Sequence, residues 1–227
     1  MDAQINYTLA DGTNLSKTVD EQIGILTAEG FDEESIVKLK AALAELNSKE
    51  VAQGTATNNR DKKVAAKQKV VTKAMNLVKR LRDAVRGAYQ EDKKKLKQFK
   101  TDEPVTNGVN TLSAMCEYLV PVASAEIAVL SKNGFNQQDL DNLTSMAELI
   151  RNAGSDSKRA LKLQKSATII RNEAADEVIK LTKKIRRFVK ARFADKPEVM
   201  VLFEPLPKGR GNAAVEETPA PAVEQKA

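Results

Sequence analysis

The sequence predicts an all-α protein, an elongated helical bundle built from an internal tandem duplication with about three helices per repeat. Three observations carry that expectation. The apolar residues are almost entirely aliphatic, they recur at three- and four-residue intervals, and a Gly-Phe turn at Gly30-Phe31 returns at Gly134-Phe135. Apolar residues make up 41% of the chain while aromatics make up 4% and tryptophan is absent, so the core is built of Leu, Ile, Val, Ala and Met. Charged residues, at 30% and rich in Lys, Glu and Arg, favour helix over strand.

Residues 1–14 read as a strand-like N-terminal segment. Ile5, Tyr7 and Leu9 alternate with polar residues before Asp11-Gly12, a short period-two pattern closed by a turn signal.

Residues 15–101 form the first helical repeat. Its first helix runs from about Leu15 to Glu29 and stops at Gly30, since glycine takes the left-handed conformation that ends a helix at little cost. Asp32 then caps a second helix carrying Ile36, Leu39, Leu43 and Leu46, with Phe31 placed to staple against Ile36. A break is expected around Gln53-Gly54-Thr55. The third helix follows, with Val71, Ala74, Val78, Leu81, Val85 and Ala88 along one seam.

Asp102-Glu103-Pro104-Val105-Thr106-Asn107-Gly108 is the linker, broken by Pro104 and Gly108. Residues 109–196 form the second repeat at one constant offset: Leu15, Ile23, Leu39 and Leu77 meet Leu119, Ile127, Leu143 and Leu181. Asn136 replaces Asp32 as the cap and Asp139 stands three residues on. Ala153-Gly154-Ser155 marks the matching break, and Val178, Leu181, Ile185 and Val189 the matching seam.

Residues 197–208 are an apolar, proline-bounded C-terminal segment, and 209–227 read as a disordered tail rich in Ala, Glu and Pro. Val199, Val201 and Phe203 alternate as Ile5, Tyr7 and Leu9 do. Two such edges would pair with each other or with a neighbouring subunit, which makes these six residues the candidate assembly contacts.

The chemistry excluded is as informative as the fold. There is no histidine, which removes the commonest general base, nucleophile activator and metal ligand together. A di-iron site of the ferritin-like kind needs Glu-x-x-His on two helices and cannot be built here. The one cysteine, Cys116, forms no internal disulfide and reads as buried filler. No glycine-rich phosphate loop is present. No enzyme activity, cofactor, metal or small-molecule ligand is therefore expected. No leader sequence and no run of about 20 apolar residues is visible, so the expected compartment is the cytoplasm, without membrane partners.

The net charge of +6 raises polyanions as partners. Basic residues concentrate on the third helices, where Lys79, Arg80, Arg82, Arg86, Lys183, Lys184, Arg186 and Arg187 are the candidate contacts. The function expected is that of a non-enzymatic structural or interaction protein that self-assembles through its termini or long helices. Nonspecific binding of nucleic acid or another polyanion through the basic helices is the alternative.

Overall fold

The computed structural model describes residues 2–207; the expected disordered tail, 209–227, lies outside the described residues. All the regular structure described is helical, in the order α1 (Ala3–Glu21), α2 (Ile23–Ala28), α3 (Glu34–Ala88), α4 (Lys93–Gln98), α5 (Val109–Ala125), α6 (Ile127–Lys132), α7 (Gln137–Arg192) and α8 (Pro197–Leu202). The helix lengths run 19, 6, 55 and 6 residues, then 17, 6, 56 and 6.

The turns form as the residue types dictate. Gly30 and Gly134 have φ of 84° and 91°, a region that side chains with a Cβ rarely adopt. The Phe31 and Phe135 amides then donate back to Leu26 O and Leu130 O at 3.0 and 3.1 Å, closing the two helix ends. Asp32 accepts from the Glu34 amide and the Ser35 hydroxyl. Asn136 and Asp139 each accept the other's backbone amide, a reciprocal capping box.

Two expectations are corrected. The two segments expected as strands, around residues 5–9 and 199–203, are helical instead. Asp2 caps α1 by accepting the Gln4 amide, and Ile5, Thr8, Gly12, Leu15 and Val19 fall inward at helical spacing. The five-residue run of Ile5, Tyr7 and Leu9 fits i,i+4 as well as i,i+2, and among the described residues no second strand is present to complete a ladder. Pro197 opens α8, and Val199 within it and Phe203 at its C-cap, four apart, are both buried.

The second correction concerns the breaks at Gly54 and Gly154: α3 and α7 run through both. A lone interior glycine costs only about 1 kcal/mol, less than the penalty of ending a helix with unsatisfied backbone groups. At Gly154 the missing side chain is also used, because a Cβ there would fall 2.8 Å from Val109 Cγ1.

The chain divides into two compact units, and each draws on both halves of the sequence. The first contains α1, α2, α3 as far as Glu50, α7 from Ile170, and α8. Its α3 and α7 portions are antiparallel: Arg171 reaches Glu50 at 3.4 Å and Lys184 reaches the Ser35 hydroxyl at 3.0 Å. Leu15, Val19, Leu26, Leu39, Val178, Ile185 and Phe193 form its core. The second unit contains α3 from Val51, α4, α5, α6, and α7 as far as Ile169. Here too the long helices are antiparallel, with Lys63 on Asp156 at 2.7 Å and Arg80 on Asp139 at 2.8 Å. Leu81, Phe99, Leu112, Leu119, Phe135 and Leu143 are fully buried in its core.

Candidate functional site

Within the second unit, residues 51–70 of α3 and 151–169 of α7 contribute almost nothing to the apolar core. Apart from Val70, which packs on the core at one end, the less exposed side chains of this stretch are small or polar: Gln53, Ala56, Thr57, Arg60, Lys63 and Lys67 on α3, and Ala153, Ser157, Ala160, Gln164, Ala167 and Thr168 on α7. Gln53 donates to the Thr57 hydroxyl and Gln164 to that of Thr168, so these groups satisfy one another along their own helix. Most of the aliphatic side chains stand outward instead: Val51, Val64, Leu161, Leu163 and Ile169 are 40% to 65% exposed. Such a stretch carries its apolar surface where water, or a partner, must cover it.

The same stretch is strongly basic. It holds ten Lys and Arg against Asp61 and Asp156, a net +8 where the whole chain has +6, so everything else sums to −2. Lys62, Lys67, Lys69, Lys158, Lys162 and Lys165 make no ion pair among the described residues. Asp156 reports the local field. The hydrogen bond from Lys63, and then the Lys63 and Arg159 charges, outweigh desolvation and hold its carboxyl below the ordinary value.

The basic residues singled out from the sequence are placed differently. Arg80 pairs with Asp139 and donates to Gly134 O, Arg86 pairs with Asp83 and donates to Thr101 O, and Lys184 bonds Ser35. Arg82 is buried, with one terminal nitrogen on Glu103 O at 2.6 Å, the other on Met115 Sδ at 3.6 Å, and Nε without a partner. Arg186 is clasped by Asp11. Only Lys79, Lys183 and Arg187 of the eight remain exposed without an ion pair among the described residues. The basic stretch of 51–70 and 151–169 was visible as lysine runs, but what sets it apart is the absence of an aliphatic seam between its helices, and that requires knowing which faces meet.

Of the six apolar residues at the ends, Ile5, Val199 and Phe203 are buried in the first unit and Tyr7 and Leu9 are half-buried. Val201, at 62%, is exposed beside Leu202 at 47%. These six do not make one continuous surface.

The first unit also holds a cleft between α1, the C-terminal part of α7 and the segment after α8. Asp11, Thr8 and Thr182 lie on its buried floor, and Lys183, Arg187 and Lys190 stand at its rim. Arg186 spends every nitrogen on structure: two on Asp11 and Nε on Phe203 O at 2.8 Å. Burial works to raise the Asp11 carboxyl, but hydrogen bonds from Arg186 and the Leu206 amide, with the Arg186 charge, bring it below its ordinary value.

Three further groups are shifted by burial and pairing. Desolvation pushes the buried Cys116 thiol up to about 11, with the Glu117 charge adding to it, which leaves the thiol protonated at neutral pH. Desolvation and then its bond to Glu126 push Tyr89 up to about 12, and Glu126 is also paired with Lys95. Lys93-Lys94-Lys95 opens α4 under an Asp92 cap and does not prolong the preceding long helix. Among the described residues no group of three or more carboxylates, cysteines or histidines is placed to hold a metal, and no helix is long and apolar enough to cross a membrane. No protein-family model, no curated protein and no solved structure matches this chain.

Proposed function

We propose that this chain is a non-enzymatic interaction protein, and that its working surface is the basic two-helix stretch of 51–70 and 151–169. The observation that carries the proposal is the joint exposure of aliphatic side chains and a net +8 on one short length of paired helix. Cations alone suit a phosphate backbone, but Leu161, Leu163 and Ile169 gain nothing from one. A partner helix with an apolar stripe and acidic flanks covers both kinds of group on the α7 face where Leu161, Lys165 and Ile169 follow one another at four-residue spacing. Two copies of the same stretch would oppose +8 with +8, which disfavours self-association through it.

The test is fluorescence anisotropy of a labelled helical peptide, leucine on one face and glutamate on the others, titrated with the full chain. Lys162→Glu/Lys165→Glu and Leu161→Ser/Ile169→Ser should each weaken binding about tenfold or more, the effect of removing roughly 1.4 kcal/mol. Undiminished binding by both variants overturns the proposal. A labelled DNA duplex that binds instead, with only the charge reversal mattering, would establish the polyanion reading.

Self-assembly is the second reading, favoured by the exposed pair Val201 and Leu202 on α8. Light scattering at two concentrations tests it: a mass that rises with concentration and falls with Val201→Ser/Leu202→Ser supports it. The tandem duplication belongs to the same proposal. Support comes from the two series of helix lengths and from Gly30 and Gly134 sharing one turn geometry.

A further inference from the structure

We infer that the cleft of the first unit binds a small organic phosphate, a phosphate monoester joined to a compact apolar body. This site is independent of the two-helix stretch. Its volume is about 500 Å³, within the range of about 300 to 1,000 Å³ typical of small-molecule sites. Lys183, Arg187 and Lys190 lie four and three residues apart on α7, so they share one helical face at the rim. Among the described residues the only carboxylate lining the cleft is Asp11, and it is neutralised by Arg186. Three positive charges therefore line the cleft with no free acid among its described lining residues, and Glu204 lies on the adjoining hollow that Lys190 and Pro205 also line.

That excess selects a ligand with two negative charges and several acceptor oxygens over a monocarboxylate. The rest of the lining sets the ligand's other end. Ile179 and Pro205 give an apolar wall, while Gln4 and Thr182 add polar groups. A free inorganic anion would satisfy the rim and leave that wall bare.

The walls are also held in place before any ligand arrives. Arg186 bonds Asp11 and Phe203 O, the Leu206 amide bonds Asp11, and the Tyr7 hydroxyl donates to Leu206 O at 3.0 Å. The segment carrying Pro205 is thereby fixed against α1 and α7, and little ordering cost is left for binding.

The experiment is isothermal titration calorimetry of the full chain with phenyl phosphate, inorganic phosphate and phenol. Phenyl phosphate should bind at least about tenfold more tightly than inorganic phosphate, and phenol should give no heat. Lys183→Glu/Lys190→Glu changes two exposed side chains outside the Asp11–Arg186 pair and should abolish phenyl phosphate binding, whereas Lys162→Glu/Lys165→Glu should leave it unchanged. The inference is overturned if phenyl phosphate gives no heat at millimolar concentration, if inorganic phosphate binds equally well, or if the Lys183→Glu/Lys190→Glu variant binds as the parent does. Failure here leaves the proposal for the two-helix stretch standing, because its probe and its variants are different.

Discussion

Arg186 holds Asp11 through both terminal nitrogens, at 2.8 and 2.7 Å, and the same carboxylate accepts the Leu206 amide at 2.9 Å. One buried acid thus joins α1, α7 and the segment after α8. Asp11→Ala should cost about 2 to 3 kcal/mol, somewhat below the cost of breaking a fully buried pair because the Arg186 side chain keeps 19% of its exposure. Urea denaturation at neutral pH measures this directly.

The same carboxyl gives a pH dependence. Its folded value lies below the ordinary 3.8, so the folded state binds its proton less readily than the unfolded state does. Its stabilising contribution is complete above the unfolded value and is lost as pH falls through the folded one. Urea midpoints from about pH 6 to about pH 2 should decline less steeply in Asp11→Asn than in the parent. Parallel curves would show that Asp11 plays no part in acid unfolding.

Arg82 is the contrasting case, since it is buried against Met115 with no carboxylate bonded to it. Desolvation lowers its affinity for its proton, only partly countered by the Glu103 charge. Arg82→Met should be neutral or stabilising by up to about 1 kcal/mol, whereas Arg186→Met, which strands Asp11, should cost about 2 to 4 kcal/mol. Equal losses in thermal melts would contradict this.

The two interior glycines of the long helices should respond with opposite sign. Gly54 has open space around it, so Gly54→Ala should stabilise by about 0.5 to 1 kcal/mol through helix propensity alone. Gly154→Ala forces a Cβ against Val109 and should destabilise by about 1 to 2 kcal/mol, with Val109→Ala restoring the loss. Melting temperatures of the three variants decide it.

Leu81→Ala and Ile185→Ala, at 0% and 1% exposure in the second and first units, should each cost about 2 to 5 kcal/mol by emptying a packed aliphatic site. Unchanged melts for either would place the wrong face inside.

Local physics was legible in the residues. Gly30 and Gly134 had to end helices because their φ values suit glycine, Asp32 and Asn136 had to cap because their side chains reach the next free amides, and Leu81 and Ile185 had to be buried by their place in an aliphatic seam. What sequence alone left open was everything settled by a neighbour remote in the chain. Whether Gly154 breaks a helix or receives one depends on Val109, and whether Arg82 or Arg186 is a free cation depends on Met115 and Asp11. The period of Ile5, Tyr7 and Leu9 was ambiguous because five residues fit a strand and a helix equally. Only packing against the rest of the first unit decided for helix. The basic stretch of 51–70 and 151–169 was likewise hidden, since a lysine run looks the same whether its helix meets an apolar or a polar seam. The reason is general: backbone propensity and capping act within about one helical turn, whereas burial and ion pairing depend on residues brought together from distant parts of the chain.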